Sequence, residues 1–128
     1  MERPTHAGLR HLAINVMRMD DMKRFYVDLL GFEVEWEPDP DNVYLSSGVD
    51  NLALHRAETV SSQGALDHLG LIVRRLEDVD RWALFLEEHD VALVAKPRTH
   101  RDGARSCYFK DPDGNSVQII YHPPISNR

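Results

Sequence analysis

Three of the seven histidines and one glutamine are the side chains of this chain best suited to bind a metal ion. His11 and His68 occupy matching positions in two similar segments, His55 lies near the end of a strand-like run, and Gln118 lies near the end of the chain. Imidazole nitrogens and an oxygen donor that converge from different strands suit a first-row divalent cation with open positions. Such a cation polarises paired substrate oxygens and stabilises an enediolate or an oxyanion. The alternative for each of these side chains is a structural, hydrogen-bonding role.

An internal repeat sets the positions of His11 and His68. When His68 is aligned with His11, an offset of 57 residues, the two halves match without a gap. The identical pairs include Leu12 and Leu69, Val16 and Val73, Arg18 and Arg75, Asp21 and Asp78, Arg24 and Arg81, Leu29 and Leu86, and Val34 and Val91. A strand followed by an amphipathic helix begins each half. The sequence therefore predicts two copies of a βαβββ unit.

The remaining elements follow from alternation, helical spacing and turn residues. The first helix is predicted to be capped by Asp20 or Asp21 and to stop at Gly31. In the second copy a strand is expected at 91–95, and residues 96–105 are expected to form a basic loop. The predicted strands of the first copy are 9–16, 33–37, 43–46 and 52–56. The predicted organisation is a first module at about 8–57, a linker at about 58–65 and a second module at about 66–123.

The closing segment, residues 105–122, is predicted to be a β-hairpin. Asp111-Pro-Asp-Gly114 has strong turn chemistry, because proline presets φ, aspartate bonds nearby backbone and glycine accepts a positive φ. On the outgoing strand Ser116, Gln118 and Ile120 share one face. A polar Gln118 in a strand-forming run is the first indication of a site.

This segment resembles the closing hairpin of a vicinal oxygen chelate domain. The matching residues are Tyr108-Phe109, Asp111-Pro-Asp-Gly-Asn115 and the strand that follows. The superfamily includes glyoxalase I, extradiol dioxygenases, fosfomycin-resistance enzymes and bleomycin-resistance proteins. The resemblance implies an α+β fold in which two βαβββ modules form a cupped mixed sheet around a cavity, and a single domain over 1–128.

The resemblance also implies a ligand set. In metal-using relatives the positions of His11, His68 and Gln118 hold a divalent metal ion, which for this chain would be Fe, Mn, Ni, Zn or Co. The third residue after the turn asparagine is usually a glutamate there, and here it is Gln118. Glutamine can ligate through its amide oxygen, but it is neutral and a poor proton acceptor. His55, which shares a face with Ala53, is either a further ligand or one step beyond the ligand position.

Other polar and aromatic residues are candidates for substrate binding, while no catalytic residue is assigned. Asn15, Arg105 and Tyr108 are the predicted substrate contacts. Arginines of the 96–105 loop would attract an anion, although a solvated loop is the simpler interpretation. Trp36 and Tyr44 could also line a cavity, yet strand aromatics usually belong to the core. Cys107 has no activating partner in the sequence and is expected to be a buried, inert thiol.

Two functions remain open at this point. The first is a small metal-dependent lyase, isomerase or dioxygenase acting on a small-molecule substrate with adjacent oxygens. The second is a metal-free module of the bleomycin-resistance type that sequesters a drug or metabolite, which the missing carboxylate at Gln118 favours.

The net charge of −6 argues against a nucleic-acid partner. The sequence has no long apolar run, and its first residues are polar and unlike a signal peptide. We therefore expect a cytoplasmic protein without a membrane span. By resemblance, the protein is expected to form a homodimer.

Overall fold

The structure is a computed structural model that describes residues 2–3, 9–60 and 66–126. The chain divides into two compact units, Met1–Ser61 and Ser62–Arg128. This division falls inside the predicted linker at 58–65, of which residues 61–65 lie outside the described residues. Over the described ranges, no helix has both the length and the apolar character needed to cross a membrane.

The first unit is one four-stranded sheet with a helical segment on one face. Its elements are β1 (His11–Val16), α1 (Met19–Lys23) continued by a π-helical stretch (Arg24–Leu29), β2 (Glu33–Asp39), β3 (Asn42–Ser46) and β4 (Asn51–Arg56). The strand order is β1-β4-β3-β2. The first and last strands, β1 and β4, pair in parallel, and the other pairs are antiparallel.

The second unit repeats this arrangement. Its elements are β5 (Leu69–Ile72), α2 (Glu77–Glu88), β6 (Leu93–Thr99), β7 (Arg105–Lys110), β8 (Ser116–Tyr121) and a short terminal helix, α3 (Pro123–Ser126). The strand order is β5-β8-β7-β6, and β5 again pairs in parallel with the last strand, β8. The predicted pair of βαβββ units is therefore confirmed, and with it the α+β fold class.

Strand alternation gives each sheet one apolar face and one face with polar side chains. In β1 the side chains of Ile14 and Val16 are buried, while those of His11, Ala13 and Asn15 on the other face are exposed. In each unit the helix covers the apolar face, because this arrangement removes the stripe of apolar helix residues and the sheet from water together. The buried side chains include Val16, Met22, Tyr26, Leu45 and Leu54 in the first unit, and Val79, Leu86, Phe109, Val117 and Ile119 in the second.

Two predicted boundaries need correction. The first helix begins at Met19, so Asp20 and Asp21 lie in its first turn and make no side-chain cap; their negative charge still favours a helix N-terminus. The helical segment ends at Leu29, and Gly31 follows its C-cap residue with a φ of 82°, as predicted for the residue that stops it. The predicted loop at 96–105 is partly strand, because β6 runs to Thr99. Pro97 is tolerated there since β6 is an edge strand with a register irregularity between Ala95 and Arg98.

The closing hairpin has the predicted turn. Gly114 has a φ of 91°, a conformation that residues with a side chain rarely adopt. Asp111 is only 4% exposed, and its carboxylate accepts hydrogen bonds from the Asp113 and Asn115 backbone N–H groups and from the Asn115 side chain. The turn therefore fixes where β8 begins, and so which face of β8 Gln118 occupies.

We expect Asp111→Ala to lower the free energy of unfolding by about 2–3 kcal/mol, because three donors lose a buried charged acceptor. Urea unfolding followed by circular dichroism measures the change. The matched control is Asp102→Ala, which removes one comparable bond to the Ala104 N–H in an exposed turn and should cost under about 1 kcal/mol. Equal losses in the two variants would contradict this account of the turn.

Candidate functional site

The polar face of the first unit carries three of the predicted site residues. The register of the parallel pair β1–β4 places His11 opposite Asn51, Ala13 opposite Ala53, and Asn15 opposite His55. These side chains point to the face opposite the helix, since Leu52 and Leu54 between them are buried with the core. His11, Asn15 and His55 thus share one surface.

The same register separates His55 from His11 along the strands. His55 lies four residues beyond Asn51, the residue opposite His11, which corresponds to about 13 Å at the usual strand rise. The position equivalent to Gln118 in the first unit is Ala53, because Gly70 faces Gln118 as Ala13 faces Ala53. The structure therefore favours the second interpretation of His55, one step beyond the ligand position.

All three candidate histidines form a hydrogen bond to another side chain through the same ring nitrogen, Nδ1. Nδ1 lies 2.8 Å from Asn51 Oδ1 in His11, 2.7 Å from Asn42 Oδ1 in His55, and 2.6 Å from Asp67 Oδ1 in His68. Because these oxygens only accept hydrogen bonds, each Nδ1 donates. In a neutral ring Nε2 then keeps a lone pair, and at Nε2 no protein partner is found among the described residues.

The second unit brings three predicted residues together. Gln118 is 7% exposed, and its Nε2 donates to the Tyr108 hydroxyl at 2.9 Å. The ring of His68 packs edge-on against Tyr108, with centroids 5.5 Å apart. Opposite Gln118 lies Gly70, where an added Cβ would be 3.5 Å from Gln118 Oε1. Imidazole, phenol and amide therefore form one polar cluster on this face.

Arg105 is separated from that cluster. It alternates with Tyr108 along β7 and leaves the helix side of the sheet, where its guanidinium donates to Asp80 of α2 at 2.8 and 2.7 Å and to Thr99 at 2.9 Å. The hydrogen bond that Arg105 donates holds the pKa of the Asp80 carboxyl below its usual value. The same bond raises the pKa of the Arg105 guanidinium. The geometry thus does not support the predicted substrate contact of Arg105, because the guanidinium already binds a carboxylate on the opposite face.

Trp36 corrects the expectation that strand aromatics are core residues. Its side chain is 59% exposed and stacks on Tyr44 with ring centroids 5.2 Å apart and an interplanar angle of 21°. Tyr44 in turn meets the ring of His55 edge-on at 5.8 Å. An open aromatic surface therefore adjoins His55 on the polar face of the first unit.

Cys107 is fully buried, as predicted, and burial raises the pKa of its thiol to about 11. A thiol that stays protonated at neutral pH is a poor nucleophile and a poor metal ligand. Within the described ranges, no group of three or more His, Cys, Asp and Glu side chains is close enough together to hold a metal ion.

Sequence reasoning missed the partners of the three imidazoles. Asp67 precedes His68 directly, and this adjacency was a usable signal. Asn51 and Asn42 had no such signal, because their contacts with His11 and His55 depend on strand register. Alternation alone cannot supply that register.

Comparison with known proteins gives one family match over most of the chain. The model described as the Glyoxalase/Bleomycin resistance protein/Dioxygenase superfamily matches residues 8–119. No curated protein sequence matches. Many solved structures, in contrast, are similar to this chain.

Three similar structures illustrate the result. A lactoylglutathione lyase from Agrobacterium tumefaciens is 20% identical with a TM-score of 0.80, covering 95% of this chain and 98% of that one. A glyoxalase/bleomycin resistance protein/dioxygenase from Alicyclobacillus acidocaldarius is 22% identical with a TM-score of 0.70, covering 90% and 91%. A glyoxalase family protein from Enterococcus faecalis is 26% identical with a TM-score of 0.72, covering 88% and 96%. These likenesses establish a shared fold, and a shared substrate does not follow from them.

The Asp80–Arg105 pair predicts a pH dependence of stability. Because the folded-state pKa of Asp80 is depressed, its stabilising contribution is present above the ordinary carboxyl value of 3.8 and is lost as the pH falls through the depressed value. Asp80→Asn should therefore lower the free energy of unfolding at neutral pH, by less than about 1 kcal/mol because the carboxylate is half exposed.

Urea unfolding of wild type and variant at pH 7 and at about pH 2.5 measures this dependence. Glu88→Gln, on the same helix, makes the same charge change at an exposed site and is the control. A difference between Asp80→Asn and wild type that stays constant between the two pH values would contradict the assignment.

Proposed function

Because this chain belongs to the glyoxalase/bleomycin resistance protein/dioxygenase superfamily, we propose that it is a divalent-metal-dependent enzyme acting on a small substrate with two adjacent oxygens. The reaction class is a glyoxalase-like lyase or isomerase, or a dioxygenase. A bound cation would polarise the paired oxygens and stabilise negative charge that develops on them. The protein ligands in this proposal are His11, His68 and Gln118.

The observation that carries the proposal is the state of the imidazoles. In His11 and His68 the Nδ1 atoms donate to side-chain oxygens, and no residue of the described ranges bonds to Nε2, so in the neutral rings its lone pair can face a ligand. Metal-binding histidines generally have this second hydrogen bond, which fixes the ring and raises the basicity of the ligating nitrogen. The residues present therefore fit a divalent cation of the kind that prefers imidazole.

Gln118 fits the same cation through its amide oxygen but changes the acid–base chemistry. An amide accepts no proton at neutral pH, so it cannot act as the general base. The neighbouring Tyr108 hydroxyl accepts a hydrogen bond from Gln118 and keeps its own proton to donate. Tyr108 is thus the group of this cluster that would hold or move a proton at a substrate oxygen.

Metal analysis of the purified protein tests the proposal. We expect a stoichiometric divalent metal in wild type and affinity lowered roughly tenfold or more in His68→Ala. His89→Ala is the matched control, because His89 is exposed at the end of α2 and its Nδ1 donates to the Phe85 carbonyl. Gln118→Glu should raise affinity, because it adds a negative charge to a neutral ligand set.

Two outcomes would overturn the metal proposal. One is wild-type protein that neither contains a divalent metal nor binds one on titration. The other is equal binding by wild type and His68→Ala. A Gln118→Glu variant with unchanged affinity would remove Gln118 alone from the ligand set.

The aromatic surface on the first unit favours a second function, metal-free binding of a planar small molecule. Trp36 is exposed yet held in place by its stack on Tyr44, an arrangement suited to a flat ligand. In this case the histidines would serve as hydrogen-bond acceptors for the ligand.

Calorimetric titration of chelator-treated protein with bleomycin tests this second function. We expect binding by wild type and an affinity roughly tenfold lower for Trp36→Ala, the size of one lost aromatic stack. Val34→Ala, which trims another exposed apolar side chain of β2, is the control and should bind as wild type does. Absence of binding by wild type, or equal affinities for wild type and Trp36→Ala, would overturn it.

A further inference from the structure

We propose that Glu35 and Asp39 of β2 are positioning residues that act through Asn51 and Asn42 on His11 and His55. Each carboxylate fixes the orientation of one asparagine amide, and that amide fixes the tautomer of one histidine. The proposal deepens the proposed function, on which it rests for what the Nε2 atom of His11 binds. All the residues in this proposal belong to the first unit.

The first of these chains of hydrogen bonds runs from Glu35 to His11. Asn51 Nδ2 lies 3.0 Å from Glu35 Oε2, and Asn51 Oδ1 lies 2.8 Å from His11 Nδ1. An ionised carboxylate only accepts hydrogen bonds, so it must face the amide NH₂. The amide oxygen is thereby turned to His11, where only a protonated Nδ1 can pair with it.

The second chain of hydrogen bonds repeats this logic with different residues. Asn42 Nδ2 lies 2.9 and 3.2 Å from the two carboxylate oxygens of Asp39, and Asn42 Oδ1 lies 2.7 Å from His55 Nδ1. Asp39 is itself held by the backbone N–H of Asp41, which donates to it at 2.8 Å. His55 is therefore also set as an Nδ1 donor, and its Nε2 has no protein partner among the residues that the structure describes.

The carboxylates are needed because an asparagine alone leaves the tautomer undecided. Its amide offers an acceptor or a donor to a facing imidazole with similar ease, and either pairing satisfies both groups. A carboxylate on the far side removes this degeneracy. It also supports the imidazole indirectly, as carboxylates behind ligating histidines do.

The sequence places both carboxylates on one edge strand. The β2–β3 pairing is irregular between Val34 and Trp36, next to Glu35, whose side chain reaches Asn51 on β4. Asp39 ends β2 and faces Asn42 across a tight turn. An irregular strand pairing and a tight turn thus produce the same order of carboxylate, asparagine and histidine. This repetition is the observation that supports a positioning role for both carboxylates.

Nitrogen NMR of ¹⁵N-histidine-labelled, chelator-treated protein tests the proposal directly. The spectrum is recorded at about pH 8.5, where an ordinary imidazole is neutral. Couplings between ring protons and nitrogens then distinguish the two tautomers. The His11→Gln and His55→Gln variants assign the two signals by their disappearance. We expect His11 and His55 to be Nδ1-protonated in wild type.

The two chains of hydrogen bonds are each other's control. Glu35→Ala should lower the ratio of Nδ1–H to Nε2–H forms of His11 roughly two- to fivefold, the worth of one exposed hydrogen bond, and leave His55 unchanged. Asp39→Ala should do the reverse. Glu35→Lys should invert the first chain of hydrogen bonds, because an ammonium donates to the amide oxygen and turns the NH₂ to His11, which then favours Nε2–H.

Three results would overturn the proposal. They are an Nε2-protonated His11 or His55 in wild type, no change of either ratio in the alanine variants, and a common change of both ratios in one variant. The outcome is separate from the metal proposal. If His11 and His55 are Nδ1-protonated but the protein binds no divalent cation, the metal proposal alone is contradicted. If the protein binds a metal but these histidines are Nε2-protonated in the chelator-treated form, the positioning role alone is contradicted.

Discussion

The parallel pairing of the first and last strand within each unit is the constraint on which the chemistry depends. Side chains alternate along a strand, so one residue of slip would exchange the polar face for the apolar one. The register Ala13 opposite Ala53, and Gly70 opposite Gln118, is what leaves the histidines and Gln118 outside the helix-covered core. The apolar faces under the helices favour that register, and the turn at Asp111 sets the pairing of β8 with its other neighbour, β7.

The hydrogen-bond partners of the imidazoles change the meaning of the missing glutamate. Gln118 brings no charge to the polar cluster of the second unit, but Asp67 bonds directly to His68. In the proposed metal site, negative charge would therefore be supplied from behind the His68 ring instead of at the position of Gln118. A carboxylate placed there supports a cation less strongly than direct ligation does, yet it orients the ring and increases its basicity. A neutral ligand set is thus compatible with the proposed metal site.

Local patterns were sufficient to predict much of the fold. The offset between His11 and His68 identified the duplication, and the Asp-Pro-Asp-Gly turn located the closing hairpin, because both signals lie in short stretches of sequence. The β6 boundary was missed because pairing with β7 extends a strand through Pro97, which local propensity opposes.

The site was less predictable, since its contacts are set by cross-strand register and by which face a side chain leaves. Arg105 binds Asp80 on the helix side, Trp36 is exposed on a stacked aromatic surface, and the asparagines beside His11 and His55 are distant from them in sequence. Only the Asp67–His68 adjacency was visible without the fold. Residue types therefore indicated the chemistry, while three-dimensional neighbours decide which residues can perform it.

The two copies of the repeated unit differ at a pair of facing positions on their polar surfaces. Where the first copy has two alanines, Ala13 and Ala53, the second has Gly70 and Gln118. A methyl group at position 70 would just touch the Gln118 oxygen at 3.5 Å, whereas any longer side chain would cover it. At this spot the first copy thus carries methyl groups, while the second leaves a gap beside an amide. The size of the side chain at residue 70 alone therefore decides how open the space beside that oxygen is.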